Sequence, residues 1–566
     1  MREKAALINN KANKGYYINY HQDRWLVVSR SDALNLKQVI DQYYGEKRWP
    51  KRFTLPLSAL TLLRVCDSAM FIIEDKQLSE LFYLEHSESS LTASLPSGLN
   101  ATLRDYQLKG LAWLQFLEKH GLGGILADDM GLGKTIQVLS FLLSQKEAKR
   151  STLPSLIICP TSLVNNWLLE AEKFTPDLKL VAVQGANRKK LLAKAATADV
   201  VITSFPLLLR DHEHYLQMHF GNIILDEAQT IKNYQSKVSR FAKSLKGDFH
   251  LCLSGTPVEN NLSELKSLFD FAMPGLLGST AYFKNHFQQP IEKENNAYRA
   301  EQLNDIIAGY VLRRTKAEVA KELPAKSEMV KVIELCDSQK SLYQKVSEQI
   351  ESKVKSIFEA GEQQASKLLF LESLLKLRQI CCDPRLISKS TDPDEAINSA
   401  KLNYLANTLP EMLKEGRKVI IFSQFTSMLS LIEQKLSEIG IDYSLLTGQT
   451  RHRQKAIDKF QQGDVSVFLI SLKAGGTGLN LTAADTVIHY DPWWNPAVER
   501  QATDRAYRIG QDKPVFVYKL ICQNSIEEKV QRMQQEKAAL AERFFDSNSH
   551  GFSDFSEQDL LQLIGS

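Results

Sequence analysis

The sequence predicts an α/β protein of two tandem lobes, each a parallel sheet flanked by helices, with helical insertions and a small N-terminal α+β module. Three observations carry this. Between residues 101 and 315 the short apolar runs GGILA, LIIC, LVAV, VVIT, IILD and HLCLS alternate with helical patterns. Residues 418–520 repeat the theme with VIIF, YSLL, VFLI, TVIHY and VFVYKL. These runs are continuous rather than alternating, as expected of strands buried on both faces of a parallel sheet. Third, the first run leads through a glycine-containing loop directly into a helical pattern, the join at which open parallel sheets bind phosphate.

At 566 residues the chain exceeds one ordinary hydrophobic core. Residues 1–97 read as an accessory module: INY and RWLVV as strands, SDALNLKQVIDQYYG and PLSALTLLRVC as helices. HSESSLTASLPSGLN, rich in small polar residues, is the best linker candidate. The first lobe is expected over 98–315, with a helical insertion near 260–310. A charged helical insertion follows over 316–400, in which SQKSLYQKVSEQIESKVKSIFEAGEQ suggests a solvated hairpin. The second lobe is expected over 401–545 and a tail over 546–566. In that tail FSEQDLLQLIGS reads as a short helix with Ser556 as N-cap and Asp559 at the capping-box position.

A net charge of +4 is small for this length and decides nothing about nucleic acid, because a local basic groove can coexist with a near-neutral total. The seven cysteines form no CxxC pair, and Cys159 and Cys252 lie in apolar runs. That scatter suits reduced thiols and gives no zinc-ligand spacing. The first residues lack the apolar core of a signal peptide, and no stretch approaches the roughly 20 apolar residues of a membrane span. A soluble, cytoplasmic protein is expected, nucleoid-associated if bacterial, with no zinc and no membrane partner. Asp211-His212-Glu213-His214 with His219 lies in a polar loop without a second cluster, and Cys381-Cys382 reads as helix packing.

The loop is Asp128-Asp129-Met130-Gly131-Leu132-Gly133-Lys134-Thr135. Backbone N–H groups and the positive end of the following helix converge on an anion there. Gly131 and Gly133 permit close backbone approach, Lys134 reaches the β- and γ-phosphates of a nucleotide, and Thr135 offers its hydroxyl to Mg²⁺. The strict pattern GxxxxGK[ST] is broken, since Asp128 holds its first glycine position. A second chemistry-bearing run is GNIILDEAQTIKN, an apolar strand ending in two carboxylates. Asp226 suits the metal through its water shell, and Glu227 suits a base that polarises the attacking water.

In order and wording these segments resemble the SWI/SNF-like ATPases of helicase superfamily two, particularly bacterial-type members, over roughly residues 100–545. LRDYQLKGLAWL is similar to the family's adenine-sensing entry segment, which implies a base contact for Gln107. Asp128 in LADDMGLGKTIQ is normal for this branch. CPTSLVNNWLLEAEKF, DVVITSFPLL and LSGTPVENNLSELKSLFDFAMPG resemble successive blocks, the last placing Ser254, Gly255 and Thr256 where hydrolysis is coupled to DNA. YVLRRTKAEVAKELPAKSE and LRQICCDP are signatures of the branch. VIIFSQFTSMLSLIEQKL, LISLKAGGTGLNLTAADTVIHYDPWWNP and QATDRAYRIGQ match the remaining blocks. Gln229 stands where other members carry His and can still donate and accept.

The resemblance implies two RecA-like lobes, ATP and Mg²⁺ as cofactors, a further ATP contact at Gly478, and coupling roles for Gln229 and Gln501. Arg505 and Arg508, three apart and expected on one helical face, correspond to arginines that reach the γ-phosphate. Fork-shaped cations suit the charge on transferring phosphoryl oxygens. Thr161, Thr203 and Ser204 in the first lobe, with Ser423, Gln424, Lys473 and Gly476 in the second, are implied as phosphate grips on DNA. Trp493 and Trp494 could contact DNA, but large aromatics after a strand more often pack in a core or interface, which is expected of at least one of them. The implied function is DNA-stimulated ATP hydrolysis coupled to translocation on double-stranded DNA, remodelling or displacing a DNA-bound protein complex. The rivals are a strand-separating DNA or RNA helicase and a catalytically silent DNA-binding scaffold. The signatures around Arg313, Arg314 and Arg378 argue against the first. Intact Lys134, Thr135, Asp226, Glu227, Arg505 and Arg508 argue against the second.

Overall fold

The computed structural model describes residues 91–532, apart from 151, 186–187, 256–261, 295, 321, 360–362, 388–397, 476–478 and 494–495, together with the strands of an N-terminal hairpin. That hairpin pairs β1 (Tyr16–His21) antiparallel with β2 (Arg24–Val28), the two strands expected from INY and RWLVV. The helices expected in the N-terminal module and in the tail, with Ser556 and Asp559, lie outside the described residues. So do Thr256, Gly476, Gly478 and Trp494. The chain divides into two units at Val319/Ala320, the turn Met130–Leu132 being grouped with the second.

The first unit holds a seven-stranded parallel sheet. Its strands are β3 (Gly124–Leu126), β4 (Ser155–Cys159), β5 (Leu180–Ala182), β6 (Val200–Ser204), β7 (His219–Asp226), β8 (Lys246–Leu253) and β9 (Val311–Leu312). Their order is β5-β6-β4-β7-β8-β3-β9. Every residue of β3, β4 and β6 is buried, which explains why these strands read as unbroken apolar runs. The order places β7, β8 and β3 side by side, so the loops leaving their carboxyl ends are neighbours. Ser254 N, just after β8, donates to Leu126 O at the end of β3 at 3.1 Å.

The second unit holds a six-stranded parallel sheet. It consists of β10 (Lys326–Ile333), β11 (Val419–Ser423), β12 (Tyr443–Leu446), β13 (Val467–Ser471), β14 (Thr486–His489) and β15 (Val515–Cys522). The order is β10-β15-β14-β11-β13-β12. Successive residues of one strand feed opposite cores. Val419, Ile421 and Leu469 pack with the helices Ala400–Lys414 and Thr426–Glu438, while Ile420, Phe422, Phe468 and Ile470 pack with Phe460, Ala502 and Ala506.

Three expectations need correction. The stretch 94–100 is no free linker: the Glu147 carboxylate accepts from both Ser97 N and Gly98 N at 2.8 Å, and Asn100 N donates to Phe174 O. One carboxylate satisfying two backbone donors holds the chain to the first unit. Nor is 316–400 wholly a helical insertion. Residues 326–333 form β10, an edge strand mostly exposed and therefore without a continuous apolar signature. The hairpin of Asp337–Glu359 and Gln363–Cys382 is present, but it is not solvated throughout. Ile350, Leu374, Leu377, Ile380 and Cys381 pack with Cys522 and Ile526.

Candidate active site

β3 delivers Asp128 and Asp129 into the loop, and the helix Lys134–Glu147 begins directly after Gly133. Gly131 and Gly133 take φ of +87° and +78°, the left-handed region that favours glycine. At Gly133 a Cβ would meet Gln107 Nε2 at 2.6 Å, so the side chain expected to contact the base already closes over the loop. Gln107 itself is buried, its Oε1 accepting from Arg104 N at 3.0 Å at the start of the helix Asp105–Lys119. Lys134 Nζ donates to Asp128 O at 2.6 Å and folds back over the loop. Thr135 lies half-buried in the first helical turn, where the backbone donors of a helix N-terminus remain unpaired.

At the end of β7 the Asp226 carboxyl is buried. It accepts from the Trp167 indole Nε1 at 2.9 Å through Oδ2, and from Glu227 N at 2.9 Å through Oδ1. Burial and the adjacent Glu227 push its pKa up to about 7, against the opposing pull of Trp167 and Lys134. Glu227 adopts φ of +51°, a conformation that costs a non-glycine residue roughly 1–2 kcal/mol. The turn is locked by Thr230, whose N and Oγ1 both donate to Glu227 O. From Glu227 a side-chain relay runs on: Gln229 Nε2 donates to Glu227 Oε2 at 2.7 Å, and Ser254 Oγ donates to Gln229 Oε1 at 3.0 Å. Gly255 follows Ser254. The sequence brings these groups to adjacent strand ends, and the side chains join into one chain.

Asp128 is not presented to a ligand by its side chain. Its carboxylate is fully buried and gripped by Arg314. Asp129 accepts from Lys316 N at 2.9 Å through Oδ2.

In the second unit Arg505 and Arg508 do not share a helical face. The helix Pro496–Thr503, which carries Gln501, ends before them. Arg505 N and Ala506 N then donate to Ala502 O and Thr503 O in tighter turns, and Leu481 N captures Arg505 O at 2.9 Å. The arginines are thus placed by an anchored turn. Sequence spacing could not show where the helix stops.

The residues expected to grip DNA separate into two groups. Thr161 and Lys473 are exposed. Thr203, Ser204 and Ser423 lie at the ends of fully buried strands, and their side chains are buried too. Ser423 Oγ accepts from Phe425 N at 3.1 Å, capping its own turn. Gln424 is half-buried, its N donating to Asp491 Oδ2 and its Oε1 accepting from Arg378 Nη1 at 3.2 Å. Trp493 packs against the second-unit core, with Trp493 N donating to Glu499 Oε1. Trp167, Arg378 and Asp491 belong to these strand-end networks although sequence reasoning gave them no role. The signal for Trp167 was a lone large aromatic in the helix following β4.

The expected polar loop is instead the helix His212–Gln217 followed by the start of β7, with Asp211 held by Arg188 Nε at 2.7 Å and His219 Nε2 facing Asp248 Oδ1. Among the described residues one trio of possible ligands converges, Cys381, Cys522 and Glu527. Glu527 is already paired with Lys401 Nζ at 2.7 Å, a cation where a metal would need none. No helix of the described residues is long and apolar enough to cross a membrane.

A parallel α/β sheet with a Gly-Lys-Thr phosphate loop at one strand end and paired carboxylates at a nearby one defines the P-loop nucleoside triphosphatases. Within them, the chain belongs to the SNF2-related family of helicase-like ATPases. Residues 106–386 match the SNF2-related domain and residues 400–510 the helicase conserved C-terminal domain. The chain is similar to the putative ATP-dependent helicase/translocase YwqA of Bacillus subtilis, with 41% identity over 86% of this chain and 54% of that protein. It is similar also to the ISWI chromatin-remodeling complex ATPase ISW1 of Saccharomyces cerevisiae, with 35% identity over 80% of this chain and 41% of that protein. A solved Sulfolobus solfataricus SWI2/SNF2 ATPase core in complex with dsDNA is 36% identical, covering 84% of this chain and 99% of that one, with a TM-score of 0.42. The chain spans about half the length of the curated bacterial relatives it matches.

Proposed function

We propose that this chain hydrolyses ATP in response to DNA and uses the cycle to translocate on double-stranded DNA, displacing or remodelling protein bound there. The observation that carries the reading is the relay Glu227–Gln229–Ser254 beside the Lys134 loop. A general base tied by hydrogen bonds to the next strand-end loop is a base whose orientation can be set from elsewhere. The donor set fits a magnesium nucleotide: an ammonium and a helix N-terminus for phosphate, a hydroxyl and a buried carboxylate for the metal. Bound there, ATP supplies the phosphoryl group and Mg²⁺ neutralises charge on its oxygens.

Lys134 exchanges the Asp128 carbonyl for a phosphate oxygen. Thr135 and Asp226 hold the metal's ligand shell, and Glu227 accepts a proton from the attacking water. Gln107 reads the base, and Arg505 and Arg508 stabilise charge on the transferring group. Gly478, Gln501, Gly255 and Thr256 keep the ATP-site and coupling roles that the family motifs give them. Thr161 and Lys473, both exposed, are the best-placed phosphate grips, joined by Gln424 and Gly476. Contacts of this kind carry no sequence information, as a motor on any sequence requires. The relatives' names, a helicase/translocase and a chromatin-remodeling ATPase, are consistent with a DNA-bound protein target.

The test compares ATPase rates with no nucleic acid, duplex DNA, single-stranded DNA and RNA, and pairs them with triplex displacement and fork unwinding. The expected result is strongest stimulation by duplex DNA, ATP-dependent triplex displacement and no release of a strand from a fork. Fork unwinding without triplex displacement would favour the strand-separating helicase. Binding of DNA with no ATPase under any condition would favour a silent scaffold.

A further inference from the structure

The strict phosphate-loop pattern has glycine where this chain has Asp128, an anion inside an anion-binding loop. The structure answers that conflict with one side chain. Arg314, itself buried, donates from Nε to Asp128 Oδ1 at 2.8 Å and from Nη2 to Asp128 Oδ2, a bidentate fork. The same guanidinium donates from Nη1 to Tyr106 O and from Nη2 to Gln137 Oε1 at 2.8 Å. Gln137 Nε2 closes the ring by donating to Asp128 Oδ2 at 3.2 Å. Room for this cluster comes from Gly110, where a Cβ would lie 1.9 Å from Gln137 Oε1 and 2.9 Å from Arg314 Nη2.

The backbone is stitched at the same place. Ala127 N donates to Leu312 O at 2.7 Å and Asp129 N to Arg314 O at 3.0 Å, while Lys316 N donates to Asp129 Oδ2. Residues 312–316 therefore run alongside 127–129 as an outer rail of the loop. Asp128 is held at both ends, its carboxylate by Arg314 and its carbonyl by Lys134.

We propose that Arg314 is a positioning residue for nucleotide binding: it neutralises Asp128 and fixes the amino-terminal half of the phosphate loop in a form that accepts phosphate. Without it, a buried carboxylate stands uncompensated beneath the phosphates, where low dielectric strengthens the repulsion. The proposal rests on the nucleotide-site reading above and assigns to Arg314 a role in that site without contact to the ligand.

The experiment measures the dissociation constant of a fluorescent ADP analogue with Mg²⁺, alongside the melting temperature, for the full chain and its Arg314→Met, Asp128→Asn and doubly substituted forms. Arg314→Met should bind at least about tenfold more weakly. The double form, with the carboxylate gone, should recover to within about threefold of the parent. A purely structural arginine would leave the double form as weak as Arg314→Met, and that result would overturn the proposal. So would parent-like binding by Arg314→Met. Should Arg314→Met not fold, Arg314→Gln removes the charge but keeps a hydrogen-bond donor for Asp128. Weaker binding at a parent-like melting temperature then supports the proposal, and unchanged binding overturns it. A parent chain that binds no nucleotide would overturn the site reading itself, and this inference with it.

Discussion

The indole of Trp167 donates to the carboxyl of Asp226 across 2.9 Å, so the helix that follows β4 orients the carboxylate at the end of β7. Both groups are buried, and Thr161, an exposed candidate for DNA contact, lies in the short turn that opens the same helical stretch. Trp167→Phe keeps most of the ring and removes the donor. Loss of an outer donor to a metal-binding carboxylate typically costs 10–100-fold in metal affinity or activity, about that being expected here. A magnesium titration of ATPase should shift to higher concentration in Trp167→Phe. An unshifted titration would remove Trp167 from the site.

Lys134 and Glu227 should separate binding from turnover. Lys134→Ala removes the phosphate cation and should lose both nucleotide binding and hydrolysis. Glu227→Gln keeps the relay's acceptor but not the base, and should still bind nucleotide while turnover falls by at least about 10²-fold. Filter binding beside phosphate release checks this, and normal turnover in either variant contradicts the assignment.

The Glu227–Gln229–Ser254 relay should matter most when DNA is present. In Ser254→Ala the Oε1 of Gln229 loses the donor from Ser254, and the ratio of DNA-stimulated to basal ATPase should drop by about tenfold, the basal rate changing less. Equal losses in both rates would make Ser254 a structural residue only.

His489 gives the second unit a pH signature. Its imidazole is buried, faces Thr503 Oγ1 at 2.9 Å and stacks on Phe422, and burial lowers its pKa to about 4. Because the unfolded chain binds that proton near pH 6.5, this residue subtracts stability as pH falls from about 6.5 to 4, on the order of 3 kcal/mol in full. Asp491, pushed up to about 6 by burial, works oppositely, since the folded state keeps a proton the unfolded chain has released. Asp226 adds in the same sense as Asp491. The parent's own profile mixes these signs, so the measurement is a difference. Melting temperatures of the parent and His489→Phe should change in the variant's favour as pH drops from 7 to 4.5. Parallel profiles would contradict the buried neutral imidazole.

Lys401 and Glu527 form an ion pair that is almost fully buried, with Lys401 Nζ also donating to Tyr490 O and Glu527 Oε2 accepting from Cys522 N. Lys401→Met should destabilise the second unit by about 3–5 kcal/mol, because it strands a buried carboxylate. Joining it to Glu527→Leu should restore part of that loss. Denaturant unfolding of the three forms would show additive losses if the two residues did not interact.

Both sheets were legible because parallel strands buried on two faces leave continuous apolar runs, and the phosphate loop because a lysine must follow its glycines. β10 was not, because an edge strand with Met329, Val330 and Val332 exposed needs no such run. Spacing placed Arg505 and Arg508 on a helix that ends at Thr503, since the turn beyond is fixed by Leu481 N on Arg505 O, a long-range contact with no local trace. Thr203, Ser204 and Ser423 carry the residue types of a phosphate grip. Their burial follows from strand length, which composition does not reveal. Arg314 was visible only as part of a signature, its partner lying 186 residues earlier.

The position of β15 bears on how this protein can be cut. The match to the helicase C-terminal domain stops at residue 510, yet β15, at 515–522, lies between β10 and β14, and the partner of Lys401 lies further on at Glu527. A fragment ended at the conventional border would split the sheet and leave a lysine ammonium in a hydrophobic interior. Any excised version of the second unit that is to remain soluble must run past 527.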